Sequence, residues 1–332
     1  MTAANRWRVA YLITSHGRPE HVESLTERLL ELSPNGHVVV HHDASGGDMP
    51  WGGRPPDRVH AVDAIPVQWG AWSVVEATLR IVRHAREALD AQWMVLLSGH
   101  DRPLADLARW EHDVRSSGID GIVSARPITK RPVIGRPPTA EDLNYVRYAY
   151  RWRPLPAPST GLGRRAMETL RLVSRFAQPL FKIEYAPRRD QWFLGRPRRW
   201  GLPEGWTLHA GSQWMALGAR AADCVLAAPA GVRSWFEETW IPDQAFLHTV
   251  LYNHPELALR NERLTYVAPQ SLAKARPDWM VLRSADLPDI EASRAVFARK
   301  FDPAVDARIL AMVDELVGSG GRDLDPSGPV DR

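Results

Sequence analysis

Along the first 125 residues the apolar positions switch back and forth between two periods. Residues 8–14 are a short β-rich apolar run, and residues 21–32 then carry Val22, Leu25, Leu29 and Leu32 at helical spacing. Gly36 breaks the chain, and residues 37–42 (HVVVHH) read as a buried strand that ends at Asp43. A Gly/Pro-rich loop over 44–56 follows, then a short strand at 59–62. Residues 73–89 predict a helix with Val75, Leu79 and Val82 on one face. A strand at 93–97, a helix at 104–114 and a strand at 121–125 complete the series. Alternation of this kind predicts an α/β fold, a mostly parallel central sheet with helices on both faces. Ser73 and Glu76 stand at capping-box spacing, which predicts a helix start at Ser73.

Beyond residue 125 the pattern changes. Residues 126–207 are rich in Pro, Arg, Tyr and Trp, and periodicity supports only one helix there, at 164–181. A stretch this long without regular pattern is more often functional than filler. A strand at 213–217, a helix at 219–228, a helix opened by Pro242 and running to residue 252, and an edge strand within 257–267 come next. A helix containing residues 290–297 and a last one at 304–317 close the series. The tail, residues 318–332, has no apolar anchor and is expected to be disordered. The expected organisation is one domain over 1–317 with an irregular insertion at 126–207.

Composition narrows the class. With 332 residues and 44% hydrophobic content the chain can bury one large α/β core. The single cysteine, Cys224, rules out an intrachain disulfide, fits a reducing compartment and reads as a small core residue. No run approaches the ~20 apolar residues of a membrane span, and the N-terminal residues lack a signal-peptide core. A cytoplasmic protein is expected, with peripheral membrane contact left open. The net charge of +3 conceals a crowd of arginines: Arg131, Arg136, Arg147, Arg151, Arg153, Arg188, Arg189, Arg196, Arg198 and Arg199. Such a region suits an anionic ligand, whether a nucleotide diphosphate, a nucleic acid or an acidic membrane, and competes with the plainer reading of a solvated surface. Fourteen tryptophans can cover sugar faces or fill a core, and composition does not separate the two.

The common dinucleotide and P-loop phosphate cradles and the GxSxG elbow are absent from the sequence. Open α/β sheets bind ligands past the C-terminal ends of their strands. Ser15 and His16, then Asp43, then Ser98, Gly99, His100 and Asp101 all fall at such ends. Each alone is a turn residue; three sets in register point to a ligand. His41 and His42 are adjacent on a strand and face opposite ways, which argues against one shared metal ion.

Five segments, in order, carry a resemblance. They are QWGAWSVVEAT at 68–78, LLSGHDRPL at 96–104, GSQWMAL at 211–217, IPDQ at 241–244 and VFARKFD at 296–302. Together they resemble the core-2/I-branching β-1,6-N-acetylglucosaminyltransferases, bacterial type, over roughly residues 8–316. The resemblance implies a GT-A-like nucleotide-sugar fold and an inverting transferase that works without a metal. It implies no cofactor, a UDP-sugar donor such as UDP-N-acetylglucosamine, and a glycan or small-molecule acceptor, with no nucleic acid. The only Asp-x-Asp, Asp323-Leu324-Asp325, lies in the tail. Without a divalent ion, Lys or Arg must neutralise the leaving diphosphate. The family's Lys matches Lys300, while Arg276 and Arg283 are alternatives for its Arg. On the donor side stand Ser15, His16, Asp43, Ser98, Gly99, His100 and Asp101. On the acceptor side stand Trp69, Ser212, Gln213 and Trp214, with the insertion at 126–207 beside them.

The family's general base is the Glu of its PDE segment, and this chain has Gln244 there. An amide cannot take the acceptor's proton. Asp243, Glu237 or Glu238 can substitute, or an amine acceptor can need little base. Two other readings stay open: a nucleotide-sugar binder with little or no transfer, and a basic nucleic-acid-binding protein.

Overall fold

In the computed structural model the described residues are 7–318, except 44, 130–139, 178–179, 187–189, 199–200, 275, 277 and 279. The first part alternates as the periodicity predicts: β1 (Val9–Ser15), α1 (Pro19–Leu32), β2 (His37–His42), β3 (Val59–Ala61), α2 (Trp72–Glu87), β4 (Trp93–Ser98), β5 (Arg102–Pro103), α3 (Leu107–Ser117), β6 (Gly121–Ile122) and β7 (Ala125–Pro127). The middle holds α4 (Ala140–Ala149), β8 (Tyr150–Leu155), α5 (Gly161–Phe176), β9 (Lys182–Ala186) and β10 (Gln191–Pro197). The last part runs β11 (His209–Gly211), β12 (Ala216–Gly218), α6 (Ala219–Leu226), α7 (Ala230–Glu237), α8 (Phe246–Tyr252), β13 (Leu259–Arg260), β14 (Thr265–Val267), α9 (Leu287–Ala292), β15 (Phe297–Arg299) and α10 (Arg308–Gly318).

Seven strands form the central sheet in the order β13-β6-β12-β4-β1-β2-β3. Only β12 runs against the rest. Successive side chains of a strand leave by opposite faces, and here both faces are apolar. Ala10, Leu12, Val39, Met94 and Leu96 point into a core shared with α2, α6 and α8. Val9, Tyr11, Ile13, Val38, Val40, Val95 and Leu97 point into a second core, with α1 and α3. That two-sided burial is why these strands read as unbroken apolar runs. It also forces the connections onto the faces and leaves the C-terminal ends of β1, β2 and β4 together at one rim.

Three expectations need correction. The stretch 126–207 is not irregular: β8, β10 and β9 form a three-stranded antiparallel sheet, flanked by α5. Its strands alternate in a disguised way, with Tyr150 and Trp152 buried and Arg151 and Arg153 exposed. The capping box at Ser73 does not form, because α2 starts one residue earlier. Ser73 Oγ instead accepts the Gln68 amide at 2.9 Å, and Glu76 pairs with Arg80 at 3.5 Å. The helix expected over 290–297 is α9 only as far as Ala292, and Phe297 opens β15, paired with β14 and β5; a short apolar run fits either period. The tail beyond Gly318, with Asp323 and Asp325, lies outside the described residues, as do Arg131, Arg136, Arg188, Arg189 and Arg199.

Gly211 shows how tightly β11 enters the fold. A Cβ there would lie 1.8 Å from the carbonyl oxygen of Ser124, on the chain just before β7. Gly211→Ala is therefore expected to displace backbone and cost about 1–3 kcal/mol, read as a lower urea midpoint at unchanged m-value.

Candidate active site

A cavity of about 740 Å³ opens at the rim where β1, β2 and β4 end. β1 supplies Ser15, followed by His16; Asp43 follows β2; Ser98, Gly99 and His100 come from β4 and its turn. Each is fixed by its neighbours. Ser15 Oγ is 2.9 Å from His42 Nδ1. Asp43 Oδ1 accepts the Ser45 amide (2.9 Å), the Ser45 hydroxyl (2.8 Å) and the Val67 amide (3.1 Å). Burial works against the Asp43 charge, but these hydrogen bonds outweigh it and the carboxyl sits below its ordinary range. His41 and His42 part as expected: His41 Nε2 accepts the Ile65 amide at 3.1 Å on one side, while His42 meets Ser15 on the other.

Histidines gather at this rim. His21 Nδ1 and His100 Nδ1 are 3.0 Å apart, and the His16 and His100 rings are 6.5 Å apart, edge to face. Burial, then the nearby His21 and the Lys300 and Arg299 charges, pushes His100 down to about 4. His100 is thus a neutral imidazole at pH 7.

Positive charge enters the cavity from Arg18, paired with Asp302 at 2.7 Å, and from β15 and the residue after it. Arg299 and Lys300 both line it. Asp101 does not: it is buried beneath, where its Oδ1 takes hydrogen bonds from Ser98 Oγ and from Arg299 Nε at 3.1 Å. Arg299 lies 4.0 Å above the Trp214 ring centroid, a cation–π contact, and bonds Ser98 Oγ at 3.1 Å. Burial raises the Asp101 carboxyl against the pull of Arg299, and burial lowers Arg299. Both shifts have one cause, the loss of water from a pair with side-chain exposures of 0% and 14%. Arg299 was not singled out from the sequence, although it adjoins Lys300; its place directly after the apolar 296–298 run was the available signal.

Ser212, Gln213, Trp214, Asp243 and Gln244 also line the cavity. Pro242–Gln244 form one 3-10 turn entered through Ile241, a β-branched residue at φ 58°. That left-handed backbone costs on the order of 1–3 kcal/mol. It is held by the Ile241 amide bonded to Gly70 O (3.0 Å) and by Tyr148 Oη bonded to Ile241 O (3.2 Å). Gln244 Oε1 accepts from Arg147 Nη1 at 3.1 Å. Trp69 and Ile241 line this cavity and also a second one of about 620 Å³, walled by Trp152, Tyr185, Trp240 and residues of α5.

Besides Asp101, three candidates lie outside the cavity lining. Glu238 is clamped by Arg151 and Arg153, each at 2.6 Å, in a different pocket, and hydrogen bonding to Arg151 holds its carboxyl below the ordinary range. Arg276 pairs with Asp286 at 2.8 Å and Arg283 with Asp278 at 2.7 Å. Much of the basic middle is likewise committed: Arg198 bonds Tyr148 O and stacks 4.3 Å from the Trp235 centroid. Among the described residues, Cys224, His254 and Glu256 are the one group at metal-ligand spacing, and they do not line the cavity. Cys224 is half-buried.

Asp101→Ala is expected to cost about 3–5 kcal/mol in denaturant unfolding, because it strands the Arg299 charge in the interior. Acid should destabilise the fold through its buried histidines. His248 is fully buried against Ser212 O, and burial takes it from 6.5 to about 4. Between those values the unfolded chain binds the extra proton, so stability that is full above pH 6.5 is lost as pH falls toward 4. For His248 the full loss is on the order of 3 kcal/mol. His248→Gln should flatten the pH dependence of the melting temperature across that window.

Comparison with known proteins bears on this arrangement. The family model for core-2/I-branching enzymes matches residues 9–124. A xylosyltransferase of Ciona intestinalis is 29% identical over 160 residues, 43% of this chain but only 18% of that protein. A mannose-1-phosphate geranyltransferase structure from Thermus thermophilus aligns over 73% of this chain and 71% of its own, at 14% identity and a TM-score of 0.29. A Bacillus anthracis chain described as a putative glucose-1-phosphate thymidylyltransferase aligns over 76% and 85%, at 9% identity and a TM-score of 0.31. Scores this low carry no argument. The matched residues 9–124 run from β1 through β4 to β6 and so build the strand-end rim of the cavity; over that stretch the chain is similar to core-2/I-branching enzymes.

Proposed function

We propose that this chain is a glycosyltransferase that moves a sugar, with inversion and without a metal ion, from a UDP-sugar to an acceptor hydroxyl or amine. UDP-N-acetylglucosamine is the donor that the family resemblance favours. The observation that carries the reading is the cavity uniting a strand-end rim (Ser15, His16, Asp43, Ser98, Gly99, His100), three cations (Arg18, Arg299, Lys300) and the carboxylate of Asp243. Asp43 stays ionised and accepts hydrogen bonds from the nucleoside. Lys300, backed by Arg299, neutralises the charge that grows on the departing diphosphate. Asp243 takes the acceptor proton as the acceptor oxygen bonds to the anomeric carbon and the bond to the diphosphate breaks. Gln244 cannot do this, and a carboxylate in its place would meet Arg147, which would hold its pKa down. Glu238, clamped by two arginines elsewhere, is the weaker candidate for the base. The acceptor enters beside Trp69 from the aromatic second pocket.

The second reading, a nucleotide-sugar binder without transfer, is favoured by one observation, the amide of Gln244 where the family carries a carboxylate.

UDP release from UDP-N-acetylglucosamine should persist in excess EDTA. Lys300→Ala should lower kcat/KM about 10²–10³-fold, and Asp243→Asn should lower kcat about 10²–10⁴-fold. Gln244→Glu should change little. A strict requirement for Mn²⁺ would remove the metal-free mechanism. Wild-type rates in Asp243→Asn would remove Asp243 as base. Donor binding with neither hydrolysis nor transfer would favour the second reading.

A further inference from the structure

α5 is turned the wrong way round for a helix of a globular domain. Its inner face, Gly163, Met167, Arg171 and Ser174, is short and half polar, anchored by Ser174 Oγ accepting the Ile183 amide at 3.0 Å. Its outer face carries the apolar side chains. Leu162, Ala166, Thr169, Val173 and Phe176 fall at i, i+4, i+7, i+11 and i+14, one continuous stripe, with Leu170 and Leu172 on its two borders. Eight large hydrophobic side chains are exposed among the described residues, and six of them lie between residues 162 and 180. Leu162 is 79% exposed, Phe176 59% and Leu180, just past the helix, 77%. A helix normally buries such a stripe; one left open marks a surface that meets something apolar.

The charges beside the stripe say what that is. Arg165 borders the stripe, Arg164 and Arg175 lie further round the helix with Arg164 paired to Asp190 at 3.0 Å, and the helix carries one acid, Glu168. An apolar face bordered by a guanidinium group matches the boundary of an anionic bilayer, where the apolar side chains enter the acyl region and the arginine reaches the phosphates. We propose that α5 is an in-plane docking helix that seats this protein on an anionic lipid surface.

The placement has a consequence for the site. Leu172, Arg175 and Phe176 also wall the 620 Å³ pocket that shares Trp69 and Ile241 with the larger cavity. A seated α5 holds the mouth of that pocket against the lipid, in reach of an acceptor carried on the membrane. This consequence rests on the proposed transferase activity; the docking does not.

The test is co-sedimentation of the full chain with vesicles of phosphatidylcholine alone and of an equimolar mixture with phosphatidylglycerol. Binding to the mixed vesicles only is expected, weakening as salt rises. The double variant Leu162→Glu/Val173→Glu, at two exposed positions away from both cavities, should lose at least tenfold in vesicle binding while its melting temperature stays put. Arg165→Glu alone should lose roughly fivefold or more, which keeps the test decisive if the double variant folds poorly. Failure to bind either vesicle, or undiminished binding in both variants, overturns the proposal. So does concentration-dependent dimerisation, without lipid, that the double variant abolishes, since it assigns the stripe to a second copy of the chain.

Discussion

The buried pair of Asp101 and Arg299, stacked on Trp214, is the constraint on which the cavity depends. It ties three segments that are distant in sequence: the turn after β4, the end of β15 and the approach to β12. Removing two charges from water is costly, and the cost is met only when every donor and acceptor is engaged. Here Ser98 and the indole face complete the set. The arrangement leaves little freedom in where Arg299 sits, and so in where Lys300, the next residue, meets the cavity. The cationic wall is thus placed by the interior of the protein and not by its surface.

Legibility in the sequence followed burial. β1, β2 and β4 are covered on both faces, so their runs are continuous and their ends easy to place; Ser15, Asp43 and Ser98 follow from that alone. The sheet of β8, β9 and β10 was missed because its alternation is written in Trp and Tyr against Arg. Those types also suit a ligand-binding loop. Position 300 was readable from the segment ending in KFD, but the work of Arg299 depends on Asp101, 198 residues away. The same limit applies to Gln244, whose partner Arg147 comes from α4. Arg276 and Arg283 looked available, yet Asp286 and Asp278 lie close enough in sequence to have claimed them.

Charge in the cavity is economical. His100 lies near Lys300 and Arg299 and is neutral at ordinary pH. Asp43 is held as an anion by its hydrogen bonds, and Asp243 lines the same cavity. Under the proposed transfer, the leaving diphosphate would meet the cations and the acceptor proton would meet Asp243.

Trp69 and Ile241 form a party wall between the two cavities, and one of them is held in a strained backbone. An occupant of either side that shifts this wall changes the shape presented to the other. Linkage makes such an influence symmetric: whatever factor the first guest applies to the affinity of the second, the second applies to the first. The order in which two substrates arrive can then alter their rates of entry but not the combined free energy of the filled site.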